Sequence, residues 1–444
     1  METVDTLVCA RWIACVDPDA VLDDHALAIR GGRIVAVLPR AEAESRYAPG
    51  ERIDRPSHLC TPGLVNAHTH AAMTLLRGLG DGLPLEAWLK QRIWPLERRW
   101  VAPEFVRDGT DLAIAEMLSA GITCFADMYA FPEVVAARAV EAGMRCVAGL
   151  VIAESPTAWA AGVDEYFARS LDLHDAFRDH PLVSTAFVAH GAAGLEDATL
   201  NRLRVLVDQL DAPLAMHLHE TAGEIDACRR RHGATPLARL ARLGLASPSL
   251  LAVHAVRFGA EEIDVAGRAG LHVVHCPTSN LKLGSGIAPV PALLEAGVNV
   301  ALGTDGAASA NDLDLVRELR LAALLAAGTS GDAAAVPPRA ALRMATLAGA
   351  EALGIADATG SLAPGKWADL ACFDLGRLPA VPVTDPVAAL VGAGGRDFVS
   401  DVWVAGRAVV AQGRLTRIDT TEVATRAAGW RTRMLADATG AATQ

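Results

Sequence analysis

Lysine is almost missing from this chain: Lys90, Lys282 and Lys366 are the only three in 444 residues. None of them closes an apolar run, so a pair of metal ions bridged by a modified lysine is disfavoured and a single ion is the simpler expectation. Paired cysteines are also absent. Eight cysteines are scattered with no Cys-x-x-Cys spacing, which excludes a thiolate zinc knuckle and fits free thiols in a reducing, cytoplasmic setting. Positive charge is short, with a formal net charge of −12, and this argues against DNA, RNA or an acidic membrane as partner. It leaves a small nucleoside open. No apolar run reaches the ~18 residues of a membrane span. The opening "METVDTLVCARWIACVDPDA" lacks a basic leader and carries Glu2, Asp5 and Asp17, so it reads as strands and not as a signal peptide. Aromatics are scarce at 5%, but hydrophobic residues make up 52% against 21% charged; the chain is an ordinary folded protein with an aliphatic core.

What is present changes character along the chain. "ALAIRGGRIVAVL" places two β-prone runs around Gly31-Gly32, a hairpin signal. The far end behaves alike, in "KWADLACFD" and "VSDVWVAGRAVVAQGRL", with a turn at Ala405-Gly406. Neither end alone has enough strands for a stable sheet, so the two are expected to meet in one small β-sandwich domain. Between them, short apolar runs such as "RCVAGLVI", "APLAMHLHE", "SLLAVHAV" and "VNVALGTDG" alternate with helical stretches, of which "DATLNRLRVLVDQL" has the clearest period. Continuous apolar strands separated by helices predict a parallel TIM-like (β/α)8 barrel. An open doubly wound sheet is the competitor, but no Gly-x-Gly-x-x-Gly opens the first βα unit. The expected layout is 1–60 for the first part of the β-sandwich, 61–357 for the barrel, and 358–444 for the second part with a C-terminal helix.

Several apolar runs end in polar residues of one kind. "PGLVNAHTH" closes in His68 and His70, which project from the same face because strand side chains alternate. His217 closes "APLAMH", Glu220 follows three residues later, His254 closes "SLLAVH", and Asp305 follows "VNVALGT". A lone histidine of this type is ordinarily a satisfied core residue, but that reading does not account for the set. Barrel active sites gather at the strand C-termini, where these side chains would converge. His68, His70, His217 and Asp305 form a nitrogen- and oxygen-rich donor set suited to one divalent ion, Zn²⁺ best and Fe²⁺ or Mn²⁺ as substitutes. Such an ion makes water a nucleophile near neutral pH. Asp305 can accept that water's proton, His254 can hold the water, and Glu220 can carry the proton to substrate.

"TPGLVNAHTHAAMTLLRG", "HLHET", "AVH", "HCPTSNLKLGSG" and "GTDGAASANDLD" together resemble the amidohydrolase superfamily, in its aminohydrolase branch. "LPLEAWLKQRIWPLE" is similar to 5'-methylthioadenosine/S-adenosylhomocysteine deaminases, and the likeness runs on to the closing "GSLAPGKWADL". The resemblance implies hydrolytic removal of a purine amino group, giving the inosine-type product and ammonia, with the four metal ligands above. It implies that Glu220 protonates the ring nitrogen beside the attacked carbon, and that Glu97 of "WPLE" binds the ribose hydroxyls. His190, ending "STAFVAH", matches a substrate-contacting histidine, and Trp88 is a candidate to pack on the ligand, although a tryptophan in "LEAWLKQRIW" more often serves core or lid packing. A homodimer is also implied, in line with the general frequency of two-fold oligomers.

One departure bears on the substrate. Where some relatives carry a second arginine soon after "GMR" at 143–145, this chain has Gly149 and Leu150, so a homocysteine carboxylate lacks that cation. Methylthioadenosine needs none and ranks level with or above S-adenosylhomocysteine, with adenosine as a further candidate. The alternatives are an aminohydrolase for a free purine base or an s-triazine, for which Glu97 would have no evident purpose, and a non-catalytic barrel scaffold, which would be expected to have lost ligands. His219 and His275 are read as structural or mouth-lining, and Cys276 as a small buried residue.

Overall fold

The computed structural model describes residues 1–441; the last three residues of the expected 358–444 segment lie outside the described residues. Both ends of the chain build a single eight-stranded sheet. Its strands are β1 (Glu2–Ala14), β2 (Val21–Arg30), β3 (Arg33–Pro39) and β4 (Tyr47–Pro62) from the start of the chain. From the far end come Leu370–Asp374, Val399–Val404, Arg407–Ala411 and the short Arg414–Leu415. The two halves join where Leu370–Asp374 runs antiparallel to β4, with Leu370 opposite Pro62 and Asp374 opposite His58. Gly31 and Gly32 turn the β2–β3 hairpin with φ of 59° and 76°, values that favour glycine in a two-residue turn. A Cβ at Gly32 would sit 2.5 Å from the Ala405 carbonyl oxygen, so the hairpin lies directly on the Ala405-Gly406 turn of the other half.

Eight parallel strands form the second sheet in simple sequential order: β5 (Leu64–Thr69), β6 (Ile122–Asp127), β7 (Arg145–Val151), β8 (Val183–Gly191), β9 (Leu214–Leu218), β10 (Leu250–His254), β11 (His272–His275) and β12 (Asn299–Leu302). Helices fill the connections, as the alternating texture predicts. The helix Asp197–Leu210 buries Thr199, Leu200, Leu203 and Val207, the three- and four-residue steps read from its sequence. The ring closes between β12 and β5 through side chains and main chain together. Asn66 Nδ2 donates to Thr304 Oγ1 at 2.7 Å, Thr304 N donates to Asn66 Oδ1 at 2.9 Å, and Asp305 N donates to the His68 carbonyl at 3.0 Å. A Cβ at Gly303 would stand 3.0 Å from His68 N, O and Cβ, so only glycine lets "GTDG" lie this close to "AHTH".

Inside the barrel the strands carry mostly small and branched residues, among them Val65, Ala67, Val147, Ala186, Ala215 and Val253, and the helix Leu347–Ala352 closes the base with Ala348, Ala350 and Ala352. The interior is therefore a packed core, and the free space for chemistry lies at the strand C-termini. At the base, Arg145 of β7 and Asp369, just before Leu370–Asp374, form a buried bidentate pair that ties barrel to sheet. The helix Thr420–Ala441 packs on Pro103–Ser119, where Trp430 Nε1 donates to Asp108 Oδ2 at 2.9 Å. All eight cysteines are buried and unpaired. Among the described residues, no helix is long and apolar enough to cross a membrane.

Candidate active site

The C-terminal mouth of the barrel brings together six of the side chains singled out from the sequence. His68 lies in β5 and His70 one residue beyond it. Their rings are 4.8 Å apart, and both Nε2 atoms face Asp305 Oδ1, at 3.6 Å from His68 and 3.3 Å from His70. His217, from β9, places its Nε2 3.2 Å from that of His68. His254 ends β10 with its ring stacked on His217 at 5.2 Å between centroids, and its Nε2 stands 3.7 Å from Glu220 Oε2. Two of these residues bend the backbone out of the strand geometry. His254 has φ of 76° and Asp305 of 61°, a left-handed conformation that costs about 1–3 kcal/mol for a non-glycine residue and is held by the surrounding structure. The turn it makes swings each side chain from the strand end into the mouth.

The electrostatics suit a cation. Burial holds the His68 imidazole at about 4, and burial with four neighbouring imidazoles holds His217 well below the ordinary range. Asp305 goes the other way: burial alone would raise it, but the hydrogen bond of His68 and the neighbouring imidazoles keep it well below the usual carboxylate range. Burial thus favours neutral His68 and His217 beside an anionic Asp305, the protonation state a divalent ion requires of such ligands. Ring orientation agrees. His70 Nδ1 donates to the Met128 carbonyl at 2.6 Å and His217 Nδ1 to the His190 carbonyl at 2.7 Å, so each Nε2 turns its lone pair to the cluster, as outer hydrogen bonds set it in metal-ligating histidines. Potential ligand atoms of His68, His70 and Asp305 lie within 4.8 Å of one another, as do those of His68, His217 and His254. The donor set fits a divalent metal.

Around this core the remaining residues fall into place unequally. The His190 main chain anchors His217, and its own ring lies 5.0 Å from that of His217, open to the mouth. Glu97, on Trp94–Trp100, is half-buried, and its Oε1 accepts from Tyr129 Oη at 2.7 Å; burial pushes its carboxyl above the ordinary range, partly offset by that bond. The Tyr129 ring in turn lies 6.4 Å from His70. Trp88 is buried and donates its indole N–H to the Leu79 carbonyl at 3.2 Å, so that N–H is already committed within the protein. His219 points away from the cluster, with Nε2 accepting from Leu237 N and its ring edge-on to Phe258. The buried His275 takes no part in the ligand groups.

Several residues that shape the mouth are not evident from the sequence. Glu224 accepts main-chain N–H bonds from Glu220 at 2.8 Å and His219 at 3.2 Å, fixing the backbone that carries Glu220, while Thr221 caps the helix Ala222–His232. The only signal for it is the capping pattern Thr-Ala-Gly-Glu after "HLHE". Tyr129 carries no motif of its own. Ser279, Asn280 and Ser285 sit in "HCPTSNLKLGSG", a stretch that carries the resemblance but gives its polar side chains no distinguishing pattern.

The chain is similar to known proteins over nearly its whole length. Residues 59–409 match the model of the amidohydrolase family. A 5-methylthioadenosine/S-adenosylhomocysteine deaminase of Teredinibacter turnerae is 46% identical over 433 residues, covering 97% of this chain and 98% of the relative. A zinc-bound adenosine deaminase from Xanthomonas campestris superposes with a TM-score of 0.97 at 49% identity, over 98% of this chain and 99% of that one. A zinc complex of atrazine chlorohydrolase from Arthrobacter aurescens reaches a TM-score of 0.89 at 26% identity, over 96% and 99%. With the family model matched over 351 of the 444 residues and a relative this similar over nearly the whole chain, the chain belongs to the amidohydrolase family.

Proposed function

We propose that this enzyme hydrolytically deaminates adenosine-type nucleosides, 5'-methylthioadenosine foremost, to the inosine-type product and ammonia. The observation that carries the reading is the convergence at one barrel mouth of His68, His70, His217 and Asp305 with the proton-handling pair Glu220 and His254. The names borne by relatives spanning almost the whole chain agree with it. In this reading the four ligands hold one divalent ion. Three imidazole nitrogens and a carboxylate oxygen suit Zn²⁺, and Fe²⁺ or Mn²⁺ meet the same donors. When bound, the ion supplies activation of water near neutral pH. None of the three lysines is free to bridge a second ion: Lys90 pairs with Glu86, Lys282 with Asp81, and Lys366 bonds Thr359 O and Ser361 Oγ.

The protein groups then divide the proton traffic. Asp305 takes a proton from the attacking water as its oxygen adds to the purine carbon bearing the amino group. Glu220 delivers a proton to the adjacent ring nitrogen, so water adds across that C=N bond. His254, between Glu220 and the ligand cluster, orients the water. Asp305 then passes its proton to the amino group, the C–N bond breaks and ammonia leaves, and the added hydroxyl returns its proton to Glu220 as it becomes the carbonyl of the lactam, with the ring nitrogen keeping its N–H. Glu97 serves the ribose, since a carboxylate can accept from two vicinal hydroxyls, and His190, open to the mouth, and Trp88 are assigned to ligand contact and to packing beside it. Recognition of a homocysteine carboxylate finds less support. Arg145 is committed to Asp369, and a Cβ at Gly149 would lie 2.4 Å from the Asp127 carbonyl oxygen, so position 149 has no room for a cation. This ranks methylthioadenosine first.

The test is ammonia release, with the accompanying ultraviolet shift, for methylthioadenosine, S-adenosylhomocysteine, adenosine, adenine and guanine, before and after chelation. Chelator-sensitive turnover of the nucleosides alone is expected. Turnover of free bases alone would keep the metal chemistry and overturn the substrate. The similarity to a triazine hydrolase makes an s-triazine the next substrate to try if neither class reacts.

A further inference from the structure

One stretch touches every proton-handling group of the mouth. After β11 the chain runs through Cys276, the short helix Pro277–Lys282 and a return loop to Gly286. From it Ser279 Oγ donates to Asp305 Oδ2 at 2.7 Å, Asn280 Oδ1 stands 2.8 Å from His254 Nδ1, and Ser285 Oγ donates to Glu220 Oε1 at 2.9 Å. All three side chains are buried, so water does not compete for these bonds. The stretch is closed on itself, because the Asn280 carbonyl accepts from Ser285 N at 2.9 Å. It is fastened at both ends as well. Buried Glu318 accepts from Thr278 N at 3.0 Å, and Lys282 Nζ reaches the Ala308 carbonyl, Asn311 Oδ1 and Asp81 Oδ1.

Each contact occupies one atom of its partner and leaves the opposite atom for chemistry. Asp305 has Oδ2 taken by Ser279 and turns Oδ1 to His68 and His70. Glu220 has Oε1 taken by Ser285 and turns Oε2 to His254. For His254 the consequence is chemical as well as geometric. A side-chain amide oxygen only accepts, so an oxygen facing Nδ1 requires the proton there, and in the neutral ring Nε2 is then the bare nitrogen, turned to Glu220 and the cluster.

We infer that residues 276–286 form a positioning strap for proton transfer, in which Ser279 and Ser285 orient Asp305 and Glu220, and Asn280 fixes His254 with its proton on Nδ1. The inference rests on the deaminase reading for its effect on turnover, but not for the tautomer itself. In the metal-loaded protein with ¹⁵N-labelled histidine, the His254 signals, identified by their loss in His254→Asn, are expected to show a protonated Nδ1 and a bare Nε2. A protonated Nε2 with a bare Nδ1 would overturn the assignment, whether or not any nucleoside is a substrate. In turnover, Asn280→Leu and Ser285→Ala are expected to lower kcat by about 10–100-fold, the usual scale for losing such an outer hydrogen bond, with KM and metal content unchanged. Asn280→Asp, whose carboxylate can only accept, should recover most of the loss. If Asn280→Asp were as impaired as Asn280→Leu, Asn280 would be donating to His254 and the inference would fail. Full activity of Asn280→Leu would also sink it.

Discussion

Two buried aspartates at opposite ends of the barrel show how one fold puts the same residue to contrary uses. Asp369, at the base, spends both oxygens on the protein: Arg145 Nε and Thr359 Oγ1 bind Oδ2 at 2.8 and 2.9 Å, and Arg145 Nη2 and Ala405 N bind Oδ1 at 3.2 and 2.6 Å. Its charge is met by a guanidinium, and donors from three parts of the chain converge on it. Asp305, at the mouth, accepts from Ser279 Oγ on Oδ2 and Gly306 N on Oδ1, and its charged-group neighbours among the described residues are the imidazoles of His68 and His70, with no arginine or lysine built in beside it. A buried anion without a cation is costly. At the base the cation is built in, whereas at the mouth the arrangement leaves that place to a metal. Structural and functional carboxylates are thus told apart by where their counter-charge comes from.

The largest effect should come from the mouth. Glu220→Gln preserves shape and the Ser285 contact but cannot shuttle a proton, so kcat is expected to fall by about 10²–10⁴-fold, the usual worth of a positioned acid–base group. Metal analysis should show an unchanged content and calorimetry an unchanged Tm. A variant that kept its turnover would remove Glu220 from the proton path. The base should answer in the reverse sense. Asp369→Ala leaves Arg145 buried and unpaired, which costs about 3–5 kcal/mol of stability, readable in denaturant unfolding. Activity per folded molecule should be retained. Loss of metal from this variant before unfolding would show that the two ends are coupled, and the contrast between them would not hold.

The sequence exposed these two ends unequally. His68, His70, His217, His254 and Asp305 were legible because each interrupts or ends an apolar run, and a parallel barrel collects strand ends on one face. The terminal sheet was legible from its hairpin turns, and its joining strand followed from the need for enough strands. Asn66 was not, although it closes the barrel through Thr304, since one polar residue within "GLVNAH" has no periodicity to mark it. Ser279, Asn280 and Ser285 look in sequence like any solvated turn. Their burial depends on the fold carrying the stretch after β11 across the mouth, a long-range fact that local pattern does not contain. Arg145 and Asp369, 224 residues apart, are hidden for the same reason.

Tyr129 offers the smallest and sharpest test, because it stands between the metal cluster and the proposed ribose carboxylate. Its hydroxyl donates to Glu97 Oε1 at 2.7 Å, which fixes the carboxylate plane and leaves Oε2 free for a ligand. Removing that donor in Tyr129→Phe forfeits one hydrogen bond of about 1 kcal/mol, because half-buried Glu97 can take a water in exchange. Carried into binding, this is a rise in KM of about fivefold, since about 1.4 kcal/mol is a factor of ten. For methylthioadenosine the change should appear in KM with kcat unaltered, since the reacting carbon lies on the far side of the nucleoside from its ribose. If the enzyme also turns over adenine slowly, that reaction should not respond at all, having no hydroxyls for Glu97 to hold. A fall in kcat on both substrates would instead mean that Tyr129 acts through His70, whose ring lies 6.4 Å away, and would move it from the ribose side of the mouth to the metal side.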